Sequence, residues 1–445
     1  VKRVKRLERV ERVKRLDRRF DDMSADGLPC DDAPMAPQDA WLYRQQRRSA
    51  APAPIGLVAW FAGPAPDLDR LRELADRRLG GLERLRLVPR TAPTGWPHWV
   101  LGGRFAVERH VLAGSGNGLE VLVGELAAAP LPTGLPPWQL HLLPAAGGFA
   151  LLLRAHHALL DGVSLNAVLD LLLGVEPAEP VGPAEPAVLP GPVHPAAPGP
   201  VRRARRLAWL ADDLLPKGLR LPIHGSPGTG RRVCFATVDA AELAAARAAL
   251  PGTRCSGTAV FLAATAGALD RLELLGRGRG ATALVPIDAR PGDERALLGN
   301  HYATVRIPLP VRAERRARLA ALADRTARDR LLPRALAQAA TVAGQPHRVT
   351  AAGAVLSRYL DSSAYFSLLC SSLPAPAGPD RVLGSAQLVG LSALPPLGPA
   401  HPVALTLHHH PTGATLAAVT DDRFAHLAAP LAAAVRTEIA LLAAR

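Results

Sequence analysis

Phe149–Gly174, FALLLRAHHALLDGVSLNAVLDLLLG, is the stretch on which the reading of this chain turns. Its apolar start, Phe149–Arg154, predicts a buried strand that ends on two histidines, His156 and His157. Asp161-Gly162 then turns the chain, and Leu165, Val168, Leu169 and Leu172 recur at helical spacing. Ser164 is placed to cap that helix. A strand that delivers an imidazole to a helix N-terminus sets it beside backbone N–H groups, which favour developing negative charge.

Such a pattern suits acyl transfer from a thioester to an alcohol or amine. His157 is the expected general base, because an imidazole near its ordinary pKa of about 6.5 takes a proton at cellular pH. The thioester is already activated, so no enzyme nucleophile is needed, and no GxSxG elbow or Cys/His signature is found. A metal site is disfavoured. Gly162 and the preceding strand argue against a helical His157/Asp161 pair, and within a strand the tract His408-His409-His410 alternates between faces. The glycine-rich runs 114–118 and 276–280 lack a phosphate loop's lysine and context and are read as turns.

Outward from the motif, strand and helix signals alternate through two halves. In the first, Ile55–Phe61, Leu140–Leu143 and Phe149–Arg154 read as strands, and Asp67–Arg78 as a helix. In the second, Arg231–Val238, Ala281–Ile287, Tyr302–Leu309 and Ala364–Cys370 read as strands, and Val403–His409 pairs with Ala414–Thr420. Asp239 and Glu242 suggest a capping box. Residues 313–339 read as a helix interrupted at Pro333, and 423–444 as a closing helix. Between the halves, nine prolines in residues 175–200 predict a stiff extended linker. The expected organisation is a basic extension (1–34), an N-terminal domain (35–174), a linker with a basic helix (175–225) and a C-terminal domain (226–445), with a ligand cleft between the domains.

Composition narrows the function classes. The formal charge is +14, and residues 1–22 alone hold ten Lys or Arg against five Asp or Glu. With Met23 following, a start at that residue is one expectation. No apolar stretch follows this basic segment, so it does not read as a secretory signal. The remaining arginines show neither zinc-finger spacing nor alternation with aromatics, so nucleic acid is not an expected partner. Cys30, Cys234, Cys255 and Cys370 stand far apart with no CxxC pair, which fits a reducing cytoplasm. No apolar run reaches the ~18 residues of a span. Val201–Leu215, an apolar stripe flanked by Arg202, Arg203, Arg205 and Arg206, suits a helix packed on the protein or one lying on a membrane surface.

The motif and its neighbours resemble the bacterial wax ester synthase/diacylglycerol acyltransferase-like family, in the superfamily of condensation domains and chloramphenicol acetyltransferase-like enzymes. The likeness runs over residues 34–444. Ala36–Ala40 is similar to the family's opening PLDA segment, Leu135–Leu140 to RPLWEL, Ala155–Ser164 to the central HHxxxDG motif, and Pro222–Arg232 to PLNGPIGPGRR. Val285–Asn300 with Val305–Pro310 is similar to the LGN and VPLP block, and Ser371–Pro376 to SNVPGP.

The resemblance implies an α/β (α+β) fold of two chloramphenicol acetyltransferase-like sandwich domains around an interface tunnel. It implies a catalytic motif of His156, His157, Asp161 and Gly162, with His157 the base, Asp161 structural and paired to Arg290, and Gly162 allowing close backbone approach. Asn300, Trp138 and Ser372 fall on its other motif positions. The implied activity is O-acylation of a long-chain alcohol or diacylglycerol by acyl-CoA, a co-substrate, with no tightly bound cofactor. A cytoplasmic protein, peripheral at the inner membrane face or at lipid droplets, is expected. The family's Asn-Asp is replaced here by Thr258-Ala259, and Ser372 stands for an asparagine. These departures keep two alternatives open: acylation in specialised metabolism from acyl-CoA or an acyl carrier protein, and a non-catalytic homologue.

Overall fold

The computed structural model describes residues 32–48, 52–91, 95–102, 105–116, 118–174, 208–209, 211–275, 280–290, 297–311, 313–376 and 380–444. The basic extension up to residue 31, the proline-rich stretch 175–200 and Arg202–Arg206 lie outside them.

Two six-stranded sheets carry the fold. The first runs in the order Val382–Leu383, Ala386–Leu394, Ile55–Ala62, Gly148–Ala155, Trp138–Ala145 and Val111–Ala113. Its central hairpin turns at Ala146-Gly147, where Gly147 takes φ +74°, a left-handed value that a side chain disfavours. The second runs Tyr302–Leu309, Ala281–Asp288, Leu368–Leu373, Val403–His410, Gly413–Asp421 and Arg231–Asp239. Its Leu368–Leu373 strand is parallel to both neighbours. Helices Leu68–Leu79 and Gly162–Leu173 cover the first sheet's core, while Gly257–Arg271 and Ala425–Ala443 bury the second. A third cluster, including Val58, Leu152, Val233, Ala404 and Val419, joins the two lobes.

Two elements cross between the halves of the sequence on either side of residues 174 and 226. Ala386–Leu394 leaves the second half and pairs with Ile55–Ala62 of the first. In return, helix Leu119–Ala128 packs on Arg231–Asp239, where Glu120 accepts the Phe235 N–H at 2.7 Å. The apolar character of Ala386–Leu394 suits burial in either sheet, so sequence alone does not assign it.

Four local expectations are also corrected. Asp161, not Ser164, caps helix Gly162–Leu173, its carboxylate accepting the Ser164 N–H at 2.8 Å. Asp239 precedes helix Ala240–Arg247 without a side-chain cap, and Glu242 pairs with Arg436 at 2.9 Å rather than reaching back to it. The predicted break at Pro333 falls earlier. Thr326 Oγ1 turns back to the Leu322 carbonyl and Ala327 is extended, separating Arg315–Arg325 from Arg328–Ala343, which holds Pro333. The strand expected at 364–370 begins at Leu368, because buried Arg306 takes the Tyr365 carbonyl (3.1 Å) and stacks over its ring.

One described helix, residues 422–443, is long and apolar enough to cross a membrane by composition. Its inner face packs in the second lobe, and buried Glu438 meets Arg271, Arg315 and Arg318.

Candidate active site

Between the lobes runs a tunnel with a cavity volume of about 360 Å³, in the range of small-molecule sites. Its wall is mostly apolar. Helix Pro37–Arg48, the start of helix Gly162–Leu173 and helix Ala351–Leu360 contribute to it, and His157, Gly162, Tyr302 and Ser372 line it.

His157 is half-buried at the wall. Its Nδ1 lies 3.2 Å from the Leu160 carbonyl, which can only accept. Nδ1 therefore carries the proton, and Nε2 keeps its lone pair. The Tyr302 hydroxyl is 3.4 Å from that Nε2, and the two rings lie near parallel, 5.5 Å apart. Burial lowers the His157 pKa, opposed in part by the Asp161 charge and the Leu160 carbonyl. The expectation of an ordinary imidazole pKa is thus corrected downward, and the ring is neutral at cellular pH.

The loop that carries His157 is tied down at successive carbonyls. Asn300 Nδ2 donates to the His157 carbonyl at 2.7 Å. Arg84 donates to the carbonyls of Ala158 (3.0 Å) and Leu159 (2.8 Å). Both donors are anchored on one carboxylate, Asp39, at 2.8 Å each, and Trp99 Nε1 adds a third bond to it at 3.3 Å.

On the other side, Asp161 Oδ1 meets Arg290 Nη2 at 2.9 Å, and Oδ2 accepts the His301 N–H at 3.0 Å. Arg290 also reaches Ser164 Oγ (2.9 Å), Asp288 (2.9 Å) and the Leu297 carbonyl (3.0 Å). Burial pushes the Asp161 carboxyl up, but the Arg290 charge and the N–H bonds outweigh it and hold the pKa below the usual range. Asp161 is thus fully used by protein partners.

His156, grouped with the catalytic residues above, packs behind the site. It is buried, its Nδ1 accepts the Ala158 N–H at 3.0 Å, and its ring meets Tyr43 at 5.5 Å. Burial and the neighbouring His157 push its pKa to about 3. Consecutive residues at a strand end point to opposite sides, so only one histidine reaches the tunnel. Trp138 lies away from the tunnel, buried with Nε1 on the Leu85 carbonyl at 2.8 Å. Gly162 is pressed by the second lobe, since a Cβ there would lie 2.9 Å from Leu373 Cδ2.

His408, His409 and His410 part company. His408 meets Asn166, His409 abuts Gly257, and His410 binds Thr412 and Thr415. Among the described residues no group of three His, Cys, Asp or Glu side chains could hold a metal ion.

Sequence reasoning missed Asp39, Arg84 and Tyr302 as site residues. Asp39 sits in the noted 36–40 segment and Tyr302 follows Asn300, but nothing in Arg84's surroundings marks it.

Two mixed sheets around a central tunnel, with HHxxxDG at its wall, define the chloramphenicol acetyltransferase-like architecture. The chain belongs to the wax ester synthase/diacylglycerol acyltransferase catalytic domain family, whose model matches residues 35–284. A Mycobacterium tuberculosis protein named a probable diacylglycerol O-acyltransferase, tgs3, is 29% identical over 146 residues, 30% of this chain. This chain spans about half of that relative's length, 54%. The fold is similar to that of a wax ester synthase/diacylglycerol acyltransferase from Marinobacter aquaeolei VT8, with TM-score 0.61, 19% identity, and coverage of 93% of this chain and 100% of that one. It is also similar to the first condensation domain of the CDA synthetase, with TM-score 0.63, 20% identity, and coverage of 93% and 95%.

Proposed function

We propose that this chain transfers an acyl group from acyl-CoA to the hydroxyl of a long-chain alcohol or diacylglycerol, with His157 as general base. The observation that carries the reading is the His157 tautomer: Nδ1–H rests on the Leu160 carbonyl, leaving Nε2 as a proton acceptor at the tunnel wall. The acceptor oxygen attacks the thioester carbonyl while its proton passes to Nε2. The tetrahedral intermediate collapses, the C–S bond breaks, and Nε2 returns the proton to the departing sulfur. Gly162 and Val163, in the first turn of their helix, have N–H groups without intrahelical acceptors and lie at the tunnel wall beside the developing charge.

Family membership supports the reaction class, and the mostly apolar tunnel supports a lipidic acceptor. The test is release of free thiol from decanoyl-CoA and palmitoyl-CoA, with and without hexadecanol or diacylglycerol. Acceptor-dependent release with ester formation is expected. Release no faster than from a His157→Ala control with every pair would sink the reading.

A further inference from the structure

Tyr302 was not among the residues singled out by sequence, yet its hydroxyl faces the free Nε2 of His157 and its backbone is held by bonds on both sides. The three residues before it are bonded to the catalytic loop. The Gly299 carbonyl accepts the Asp161 N–H (3.2 Å) and Ser164 Oγ–H (2.9 Å). Asn300 holds the His157 carbonyl, and the His301 N–H donates to Asp161. Gln38 then donates to the Tyr302 carbonyl at 3.1 Å. The 3.4 Å between the phenol oxygen and His157 Nε2 is therefore set by a rigid frame at both ends.

A phenol O–H facing the Nε2 lone pair can only donate. At 3.4 Å that bond is long, which leaves the lone pair open to a closer partner at the usual 2.6–3.2 Å of a substrate hydroxyl. Once an acceptor hydroxyl occupies Nε2, the phenol hydrogen needs a new acceptor. Tyr302 lines the tunnel beside Nε2, where a thioester carbonyl under attack by that hydroxyl has to come. From this geometry we propose that Tyr302 is a catalytic residue that donates a hydrogen bond to the oxyanion formed next to His157. The inference rests on the transfer reading above. Atoms balance as there: the carbonyl π pair moves to oxygen, Tyr302 donates to that oxygen without giving up its proton, and the pair returns as the C–S bond breaks. Burial also raises the phenol pKa, so the group remains a donor throughout the range in which His157 is neutral.

The experiment compares wild type, His157→Ala and Tyr302→Phe in acyl-CoA turnover across pH. Phenylalanine keeps the ring against His157, and Tyr302→Met is a second variant without the hydroxyl should the first not fold. Loss of one oxyanion donor typically costs about 10²–10³-fold in kcat. The expected result is a kcat plateau lowered by about 10²-fold, KM within about threefold, and an acid limb that does not move. A limb shifted by more than about half a pH unit with the plateau retained would mean the phenol only tunes the imidazole, and would overturn the proposal. Wild-type kcat in both Tyr302 variants, with His157→Ala inactive, would overturn it while leaving the transfer reading intact. A wild type that consumes no acyl donor would bring down the transfer reading, and this proposal with it.

Discussion

Replacing Arg290 by Met tests the frame behind the loop that carries His157. The Arg290 and Asp161 side chains are 1% and 5% exposed and 2.9 Å apart, so neither charge has water to fall back on. Arg290→Met would leave the Asp161 carboxylate buried on two backbone N–H groups alone. Breaking a buried pair from one side costs about 3–5 kcal/mol. At about 1 °C per kcal/mol for a chain of 445 residues, the melting temperature should fall by roughly 3–5 °C. Asp161→Ala should cost a similar amount, combining loss of the helix cap, worth about 1 kcal/mol, with a stranded Arg290. That guanidinium keeps Asp288, whose side chain is 40% exposed, which softens the penalty. The double variant strands neither charge, so its cost should fall short of the sum by about 1–3 kcal/mol. Urea and thermal unfolding of the four proteins, each with thiol-release activity, provide the cycle. An Asp161→Ala protein that melts like wild type but is inactive would refute the structural assignment and make Asp161 a participant in the chemistry.

His157→Ala should keep the fold, because the ring is half-buried at the tunnel wall, and should lower turnover by about 10²–10⁴-fold; equal turnover would remove it as the base. His156→Ala should instead show mainly in stability, costing about 1–3 kcal/mol by leaving the buried Ala158 N–H without an acceptor, read by chemical denaturation. The pH dependence of stability has a defined sign. His141, His156, His401 and His408 are each pushed to about 3 by burial, so they stay neutral in the fold. The unfolded chain protonates them below about 6.5. Stability is therefore full above that pH and is lost as pH falls toward 3, at about 1.4 kcal/mol per group per pH unit. An unfolding free energy that stays flat from pH 7 to 5 would contradict these burials.

The activity limb should follow the same direction. His157 is lowered by burial, so its acid limb should lie below the 6.5 of a free imidazole and turnover should be level above it. A limb above 6.5 in kcat/KM would show that the free site is wetter or more acidic around His157 than its packing implies.

The motif stretch 149–174 was legible in the sequence because its elements are local. A run of apolar residues makes a strand, Asp161-Gly162 ends it, and leucines at helical spacing make the helix that follows. Two α/β halves with a cleft between them followed from those patterns; the tunnel and the Asp161–Arg290 pair were implied only by the family resemblance. Local patterns cannot report which strand lies beside which. Ala386–Leu394 is apolar enough for either sheet, and only the packed lobes send it to Ile55–Ala62. They cannot report which of two adjacent histidines faces a cavity, since that depends on what covers each side: Tyr43 over His156 and the open tunnel beside His157. Nor can they find Asp39, Arg84 and Tyr302, which lie 118, 73 and 145 positions from His157: only after the chain has closed does Tyr302 reach its ring, Arg84 the carbonyls of the two residues after it, and Asp39 the side chains of Arg84 and Asn300. The elements of the motif stretch and the candidate base, His157, could be read from local sequence. Tertiary structure decided the orientation of that group, its neutral state and the donors around it, because these depend on desolvation and on contacts between residues far apart in the chain.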